Sequence, residues 1–156
     1  MQRTENRLTR RSVLASLLAA TFTPAFAASA GESIMVSKSP TCGCCNAWVD
    51  HMRRAGFDVA VRDLDHDALQ AVKRDLGIAP QYMSCHTAQI GNYVIEGHVP
   101  ANDVKRLLQD RPAGLGLAVP GMPIGSPGME MGGQKDKYDV LLIKTDGTAQ
   151  VFKSHN

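Results

Sequence analysis

The sequence predicts one α/β domain with the element order β-α-β-α-β-β-α, followed by a loop and a β-hairpin. Three observations predict it. Short segments in which apolar and polar residues alternate are typical of strands. Segments with apolar residues three and four positions apart, typical of amphipathic helices, lie between them. A glycine or a proline stands at most of the boundaries, where turns are expected.

The first strand and the first helix flank a turn rich in thiols. The alternating segment from Ser33 to Ser37 predicts the strand, and Gly56 is expected to end the helix. Apolar residues at helical spacing predict the helix itself: Cys45, Trp48, Val49 and Met52. The turn, Cys42-Gly-Cys-Cys45, therefore lies at a helix N-terminus. Free backbone N–H groups and the positive end of the helix dipole favour thiolates there.

The second strand and helix follow directly. The segment from Phe57 to Leu64 alternates and predicts a strand. Asp65 is a suitable N-cap for a helix that buries Leu69 and ends at Gly77.

The third strand is predicted from Cys85 to Ile90, and the Gly91-Asn92 turn leads into a fourth strand at Tyr93 to Ile95. Pro100 is expected to begin the third helix and Pro112 to stop it.

This element order, with thiols between the first strand and first helix, is that of a thioredoxin-like domain. In that architecture the loop before the third strand faces the thiol turn. Cys85 lies in or beside that loop, so we expect it near Cys42, Cys44 and Cys45.

Residues 113–134 are rich in glycine, proline and methionine and nearly uncharged. So many helix and strand breakers predict a segment without either element. Its apolar composition indicates an ordered loop laid over the domain, and long ordered loops are usually functional. After it, two alternating segments flank Asp146-Gly147, which predicts a C-terminal hairpin.

Residues 1–27 are predicted to be a cleaved signal peptide. A basic segment, a short apolar run and the Ala25-Phe26-Ala27 cleavage site follow one another. Arg10-Arg11 also fits a twin-arginine signal, and the Sec route stays open. Residues 28–156 would then be the domain, in the periplasm, with no membrane span. They carry 13 basic and 14 acidic side chains. This balance does not favour nucleic acid as a partner.

The crowded thiols allow two kinds of chemistry. Cys42 and Cys45 have the C-x-x-C spacing of a redox disulfide. The additional Cys44 would compete in thiol exchange, however, and adjacent thiols suit a soft metal. A single tetrahedral zinc site is disfavoured because Cys44 and Cys45 are neighbours, and the familiar iron–sulfur spacings are absent. The residues favour a soft metal and leave a dithiol enzyme open.

Several histidines and methionines accompany the thiols. His86 follows Cys85 and either contacts the site or is a partly exposed strand residue. His98 either lines the site or lies in an exposed turn. His51 and His66 are predicted to be solvated. Thioethers are also soft ligands, so two loop methionines are possible outer contacts or simple packing: Met122 and Met129.

Four motifs give the chain a resemblance to a known family. They are Cys42-Gly-Cys-Cys45, Ser84-Cys-His-Thr87, Glu96-Gly-His-Val-Pro100 and Val119-Pro-Gly-Met-Pro-Ile-Gly-Ser-Pro-Gly-Met-Glu130. Together they resemble the bacterial CopG-like copper-resistance proteins over nearly the whole of residues 28–156. The resemblance implies an exported thioredoxin-like domain that holds Cu(I), in a multinuclear cluster with bridging thiolates. Carried over by position, the implied ligands are Cys42, Cys44, Cys45 and Cys85.

We therefore expect an exported protein that binds several Cu(I) ions and acts in copper resistance. It would sequester copper or interconvert Cu(I) and Cu(II), alongside other copper-handling proteins of the periplasm. The alternatives are a periplasmic thiol–disulfide oxidoreductase of the thioredoxin type and a copper chaperone that docks on a partner.

Overall fold

The computed structural model describes residues 32–156, so the predicted signal peptide lies outside the described residues. The chain forms a seven-stranded mixed sheet in the order β2-β1-β3-β4-β5-β6-β7. The strands are β1 Ser33–Lys38, β2 Asp58–Asp63, β3 His86–Ile90, β4 Tyr93–Glu96, β5 Gly116–Ala118, β6 Tyr138–Ile143 and β7 Ala149–His155. Strand β1 pairs in parallel with β2 and antiparallel with β3, which places the first α/β unit at one side of the sheet.

Three helices complete the domain: α1 Gly43–Arg54, α2 His66–Asp75 and α3 Ala101–Asp110. A short 3-10 turn, Pro80–Tyr82, precedes β3. The Asp65 carboxylate caps α2 by accepting a hydrogen bond of 2.8 Å from the Ala68 N–H. The sheet and helices confirm the α/β prediction, and the order of elements is compatible with the thioredoxin-like architecture.

The hydrophobic core joins α1 and α3 to the central strands. Trp48 of α1 and Leu107 of α3 are fully buried with Ile34 of β1, Ile95 of β4 and Leu117 of β5. The Trp48 indole N–H donates a hydrogen bond of 2.9 Å to the Val99 carbonyl, which satisfies its polar atom inside the core.

The prediction that residues 113–134 contain no strand is wrong. Strand β5, Gly116–Ala118, pairs in parallel with β4 and antiparallel with β6. It therefore joins the predicted hairpin, β6 and β7, to the rest of the sheet. The physical reason is that Leu117 and Ala118 bury their side chains completely, and that burial outweighs the flanking breakers.

His51 also differs from its prediction. It is half-buried rather than solvated, and its Nε2 accepts a hydrogen bond of 3.1 Å from the Ala101 N–H at the start of α3. The side chain thus satisfies one of the free N–H groups at that helix end. Within residues 32–156, no helix is long and apolar enough to span a membrane.

Candidate metal centre

The thiol turn begins α1. Cys42 is the N-cap residue, and its Sγ lies 3.4 Å from the Cys45 N–H, which donates to it. Cys42 and Cys45 form a disulfide, as their C-x-x-C spacing permits. Cys45 is fully buried, whereas Cys42 and Cys44 are half-buried at the end of the helix. Cys44 and Cys85 are free thiols.

Cys85 reaches this turn from the neighbouring strand, because the start of β3 pairs with the end of β1. It comes immediately before β3, and its Sγ lies 3.8 Å from the Sγ of Cys44. The Cys44 Sγ in turn lies 3.4 Å from that of Cys42. All four sulfurs are within 4.8 Å of one another. The structure thus places together the four thiols that the sequence singled out, across some forty residues of chain.

Cys85 keeps its proton in this arrangement. Burial raises the pKa of the Cys85 thiol to about 12, and the nearby Cys44 adds to the shift. A metal ion binds the thiolate, so metal binding at Cys85 would release this proton.

His98 is the histidine best placed beside the thiols, and it is fully buried. Its Nε2 lies 3.0 Å from the Cys85 Sγ, and its Nδ1 lies 2.8 Å from the Pro127 carbonyl oxygen. A carbonyl oxygen only accepts, so Nδ1 carries the proton and donates. The neutral ring then directs the lone pair of Nε2 at Cys85, which is the tautomer of a metal-ligating imidazole. Burial lowers the pKa of His98, which favours this neutral form.

His86 lies behind Cys85 and is also fully buried, not partly exposed. Its Nδ1 is 3.4 Å from the Cys85 Sγ, and its ring packs 4.4 Å from Trp48 and 5.0 Å from His98. Burial lowers the pKa of His86 well below its usual value, with His98 adding to the effect. Among residues 32–156, its Nε2 has no hydrogen-bond partner. Cys85, His86 and His98 form a second group of closely spaced ligand atoms.

The methionine-bearing loop passes over the thiol turn. A Cβ added at Gly128 would lie 2.7 Å from the Cys44 carbonyl oxygen, so the loop backbone touches the start of α1 there. Met129, the next residue, is half-buried, whereas Met122 is 52% exposed. The loop therefore closes one side of the site and supplies the carbonyl that orients His98.

A cleft opens on the other side of the thiols. Its volume is about 280 Å³, and Cys42 and Cys85 lie in its wall. His66, exposed as predicted, also lines it, with Leu69 and Gln70 of α2. A solute in this cleft would therefore contact Cys42 and Cys85, whereas Cys45 is fully buried.

Sequence reasoning missed a buried ion pair beneath Cys85. Lys73 of α2 and Glu96 at the end of β4 are both fully buried, with Nζ and Oε1 2.5 Å apart. The same Oε1 accepts a hydrogen bond of 2.6 Å from the Ser84 N–H. A signal was present in the sequence. Lys73 lies four residues after the buried Leu69, and a charge at that spacing falls on the inward face of the helix.

Comparisons with known proteins agree with the motifs. Residues 82–129 match a family described as a protein of unknown function, DUF411. No curated protein matches the chain. Two solved structures of a copper resistance protein CopG match at 40% and 41% sequence identity, with TM-scores of 0.75 and 0.74.

The first match, titled form 2, covers 81% of this chain and 99% of the solved one. The second, titled form 1, covers 80% and 98%. At that identity and coverage the family assignment is secure. The chain belongs to the CopG family of copper resistance proteins.

Proposed function

We propose that the reduced protein binds Cu(I) through Cys42, Cys44, Cys45 and Cys85. The observation that carries the proposal is the convergence of four sulfurs within 4.8 Å at one end of a helix. Thiolates are soft ligands and select Cu(I) over harder metals. The titles of the two solved relatives support copper as the metal. The protein would act in copper resistance by sequestering the ion or by interconverting Cu(I) and Cu(II).

We further infer that several Cu(I) ions bind together. Cys44 and Cys45 are adjacent in sequence and cannot easily occupy two corners of one tetrahedron. Cu(I) accepts two or three ligands, and a thiolate can bridge two ions. The close spacing of the Cys42, Cys44 and Cys85 sulfurs, 3.4 and 3.8 Å, supports shared thiolates.

The disulfide would control loading. A sulfur of the Cys42–Cys45 bond is not a thiolate, so full binding requires its reduction by two electrons. In the oxidised protein only Cys44 and Cys85 remain as free thiols. Copper capacity would therefore depend on the redox state of the protein.

The side chains beside the thiols would contact the copper to different extents. His98 is the best candidate for a nitrogen ligand, because its Nε2 lone pair faces Cys85 at 3.0 Å. His86 contacts the same sulfur from a buried position. Met122 and Met129 would be outer thioether contacts on the covering loop.

We place this activity in the periplasm, alongside copper-handling partners there. The proposal depends on cleavage after residue 27 and is tested by cell fractionation. The full-length protein should appear in the periplasmic fraction with a mass reduced by residues 1–27. Retention of those residues would contradict it.

One observation favours a second function, thiol–disulfide exchange. The Cys42–Cys45 bond lies at the N-terminus of α1, with the Cys45 N–H donating to the Cys42 sulfur. Cys42 lines the cleft and Cys45 is buried, so an entering thiolate would attack Cys42 and displace the Cys45 thiolate. This arrangement serves a dithiol enzyme as well as a copper site.

Anaerobic titration separates these functions. The reduced protein is loaded with Cu(I), and copper per chain is measured with zinc as the competing metal. We expect more than one copper per chain, and a smaller number after the Cys42–Cys45 bond has formed. Binding of a single ion, or preference for zinc, would contradict the multinuclear site.

The second function is tested on metal-free protein. Reduction of a small disulfide is assayed for the wild type and for Cys44→Ser. Copper binding predicts that the substitution lowers copper per chain. If copper per chain is unchanged while the exchange rate changes, the oxidoreductase function is favoured instead.

A further inference from the structure

The buried ion pair between Lys73 and Glu96 belongs to neither of the functions above. Both side chains are fully inaccessible. Burying two charges costs desolvation free energy that an exposed ion pair largely avoids. The mutual attraction of the charges offsets that cost only with good geometry and further hydrogen bonds. A pair of apolar side chains would fasten α2 to the sheet equally well. Glu96 also binds the backbone of Ser84, the residue before Cys85, and this contact indicates a more specific role.

The geometry connects the pair to Cys85 through one backbone group. Glu96 Oε1 accepts from the Lys73 ammonium at 2.5 Å and from the Ser84 N–H at 2.6 Å. Ser84 immediately precedes Cys85. A hydrogen bond to an ionised acceptor is stronger than one between neutral groups. The peptide that leads into Cys85 is therefore held by a fixed carboxylate.

Ser84 is held from a second direction as well. Its hydroxyl donates to the Gly121 carbonyl at the start of the methionine-bearing loop. Gly121 N–H in turn lies 3.5 Å from the Met83 carbonyl. The segment before Cys85 is thus fixed between β4 and the loop.

We propose that Glu96, oriented by Lys73, is a positioning residue that holds the Cys85 sulfur against the thiol turn by accepting the Ser84 N–H. Glu96 touches no thiol itself and acts only through the backbone. The expected effect of Glu96 on copper binding rests on the proposed copper site. The placement of Cys85 is a property of the metal-free protein and is measured without copper.

Two matched double variants separate positioning from packing. Lys73→Met/Glu96→Gln removes both charges and keeps a side-chain oxygen that accepts from Ser84. The new amide nitrogen takes the place of Glu96 Oε2, which has no hydrogen-bond partner within residues 32–156 and belongs to the residue paired with Thr87 across β3 and β4. Lys73→Met/Glu96→Leu also removes both charges but leaves no acceptor. Replacing a whole buried pair in this way is tolerated far better than removing one partner.

The readout is the effective concentration of Cys85 beside Cys44. In a Cys42→Ser/Cys45→Ser background only these two thiols remain, and their sulfurs are 3.8 Å apart in the structure. Equilibration in glutathione buffers gives the fraction with a Cys44–Cys85 bond. In that reaction two thiols lose two electrons and two protons, and one oxidised glutathione becomes two reduced molecules. Mass spectrometry measures the fraction, and urea unfolding of each variant reports stability.

We expect the Leu variant to show an effective concentration roughly tenfold below that of the Gln variant, as for loss of one hydrogen bond. Cu(I) per chain, in the background with all four cysteines, should fall in the Leu variant only. Equal effective concentrations in the two variants would overturn the proposal, whatever their copper contents. A copper defect without a change in effective concentration would also overturn it.

Glu96→Asp keeps the proposal testable if the Leu variant does not fold. It retains the charge opposite Lys73 but withdraws the carboxylate by one methylene group from Ser84. Positioning predicts an effective concentration below that of wild type. A value equal to that of wild type would count against the proposal.

Discussion

Each thiol of the candidate site has a different position in the secondary structure. Cys42 is the N-cap of α1, Cys45 is buried in the core one turn later, and Cys44 is half-buried with its Sγ 3.4 Å from that of Cys42. Cys85 comes from the segment before β3 and meets Cys44 at 3.8 Å. The Cys45 Sγ also lies 3.8 Å from the Cys85 carbonyl oxygen. Because Cys85 is the one thiol of the four that lies outside the turn, it is the residue whose removal is most informative.

Cys85→Ser should lower Cu(I) binding by at least one ion per chain. The substitution replaces a soft thiolate by a hydroxyl of similar size, which is a poor ligand for Cu(I). Copper per chain is measured after anaerobic loading and gel filtration. Ser39→Ala, which removes no thiol, is the control. Because the Cys42–Cys45 bond does not involve Cys85, it should still form. Unchanged copper binding would place Cys85 outside the site.

His51 gives a prediction about pH. Burial lowers the pKa of His51 below its usual 6.5, with Arg54 adding to the effect, so the folded state binds this proton less well than the unfolded state. The neutral ring accepts from the Ala101 N–H. Its stabilisation is therefore complete above about pH 6.5 and is lost as pH falls below that value.

His51→Gln should flatten this pH dependence. The Gln oxygen can still accept from Ala101 but does not titrate. The free energy of unfolding, measured by urea denaturation between pH 7.5 and 5, should fall less steeply in the variant than in the wild type. His86 and His98 also have lowered pKa values and remain in both proteins, so the difference isolates His51. Equal slopes would show that His51 does not carry this effect.

At the scale of single residues, the sequence predicts the thiols but not their surroundings. Cys42, Cys44 and Cys45 are neighbours in the chain, and the fold order brings Cys85 to them. The tautomer of His98 depends on the Pro127 carbonyl, 29 residues away, and no local pattern encodes that contact. The burial of Glu96 likewise depends on Lys73 from another element.

At the scale of elements, periodicity predicts α1, α2, α3 and the first four strands well. It fails for β5, because composition counts Gly116 as a strand breaker although the packing of β5 against β4 requires a glycine there. A Cβ at that position would lie 1.8 Å from the Val94 carbonyl oxygen, so glycine permits the close approach of β5 to β4. Glycine normally weakens a strand, but at position 116 it is required for β5 to pair with β4.

The covering loop gives a prediction at the same scale. Gly128 has φ +87°, and an added Cβ would lie 2.7 Å from the Cys44 carbonyl and 2.9 Å from the Trp48 nitrogen. Gly128→Ala should therefore displace the loop from α1 and destabilise the protein by about 1–3 kcal/mol. Urea denaturation gives the change, and Cu(I) titration of the variant should show weaker binding.

Gly121→Ala is the matched control for this loop variant. Gly121 has a similar positive φ of +69°, but nothing lies within 4 Å of its added Cβ. Both variants share the backbone strain, and only Gly128→Ala adds the clash at the thiol turn. Equal effects of the two variants on copper binding would mean that the loop need not contact α1.

At the scale of the whole molecule, the site joins parts of the chain that are distant in sequence. The thiol turn follows β1, Cys85 precedes β3, His98 follows β4, and the loop that follows β5 covers them. Antiparallel pairing of β1 with β3, and of β3 with β4, places the end of β1, the start of β3 and the end of β4 side by side. Ligand binding there should hold all of these segments in their folded arrangement.

Cu(I) should therefore raise the thermal stability of the reduced protein. A ligand that binds only the folded state at a hundredfold excess over its Kd adds about 2.7 kcal/mol, or roughly 10 °C for a domain of this size. Unfolded cysteines also bind copper, which makes this an upper value. The measurement is anaerobic scanning calorimetry with and without Cu(I).

The oxidised protein is the internal control for this prediction. Its Cys42–Cys45 bond leaves two free thiols, so Cu(I) should raise its melting temperature less. Since the disulfide joins residues only three apart, it closes a short loop and contributes about 2 kcal/mol, less than a bond that closes a long loop. The metal-free oxidised form should consequently melt several degrees above the metal-free reduced form, and the shift caused by Cu(I) is measured from each form's own metal-free value. If Cu(I) stabilises the reduced and oxidised proteins equally, Cys44, Cys85 and His98 suffice for binding, and the Cys42–Cys45 bond does not control copper loading.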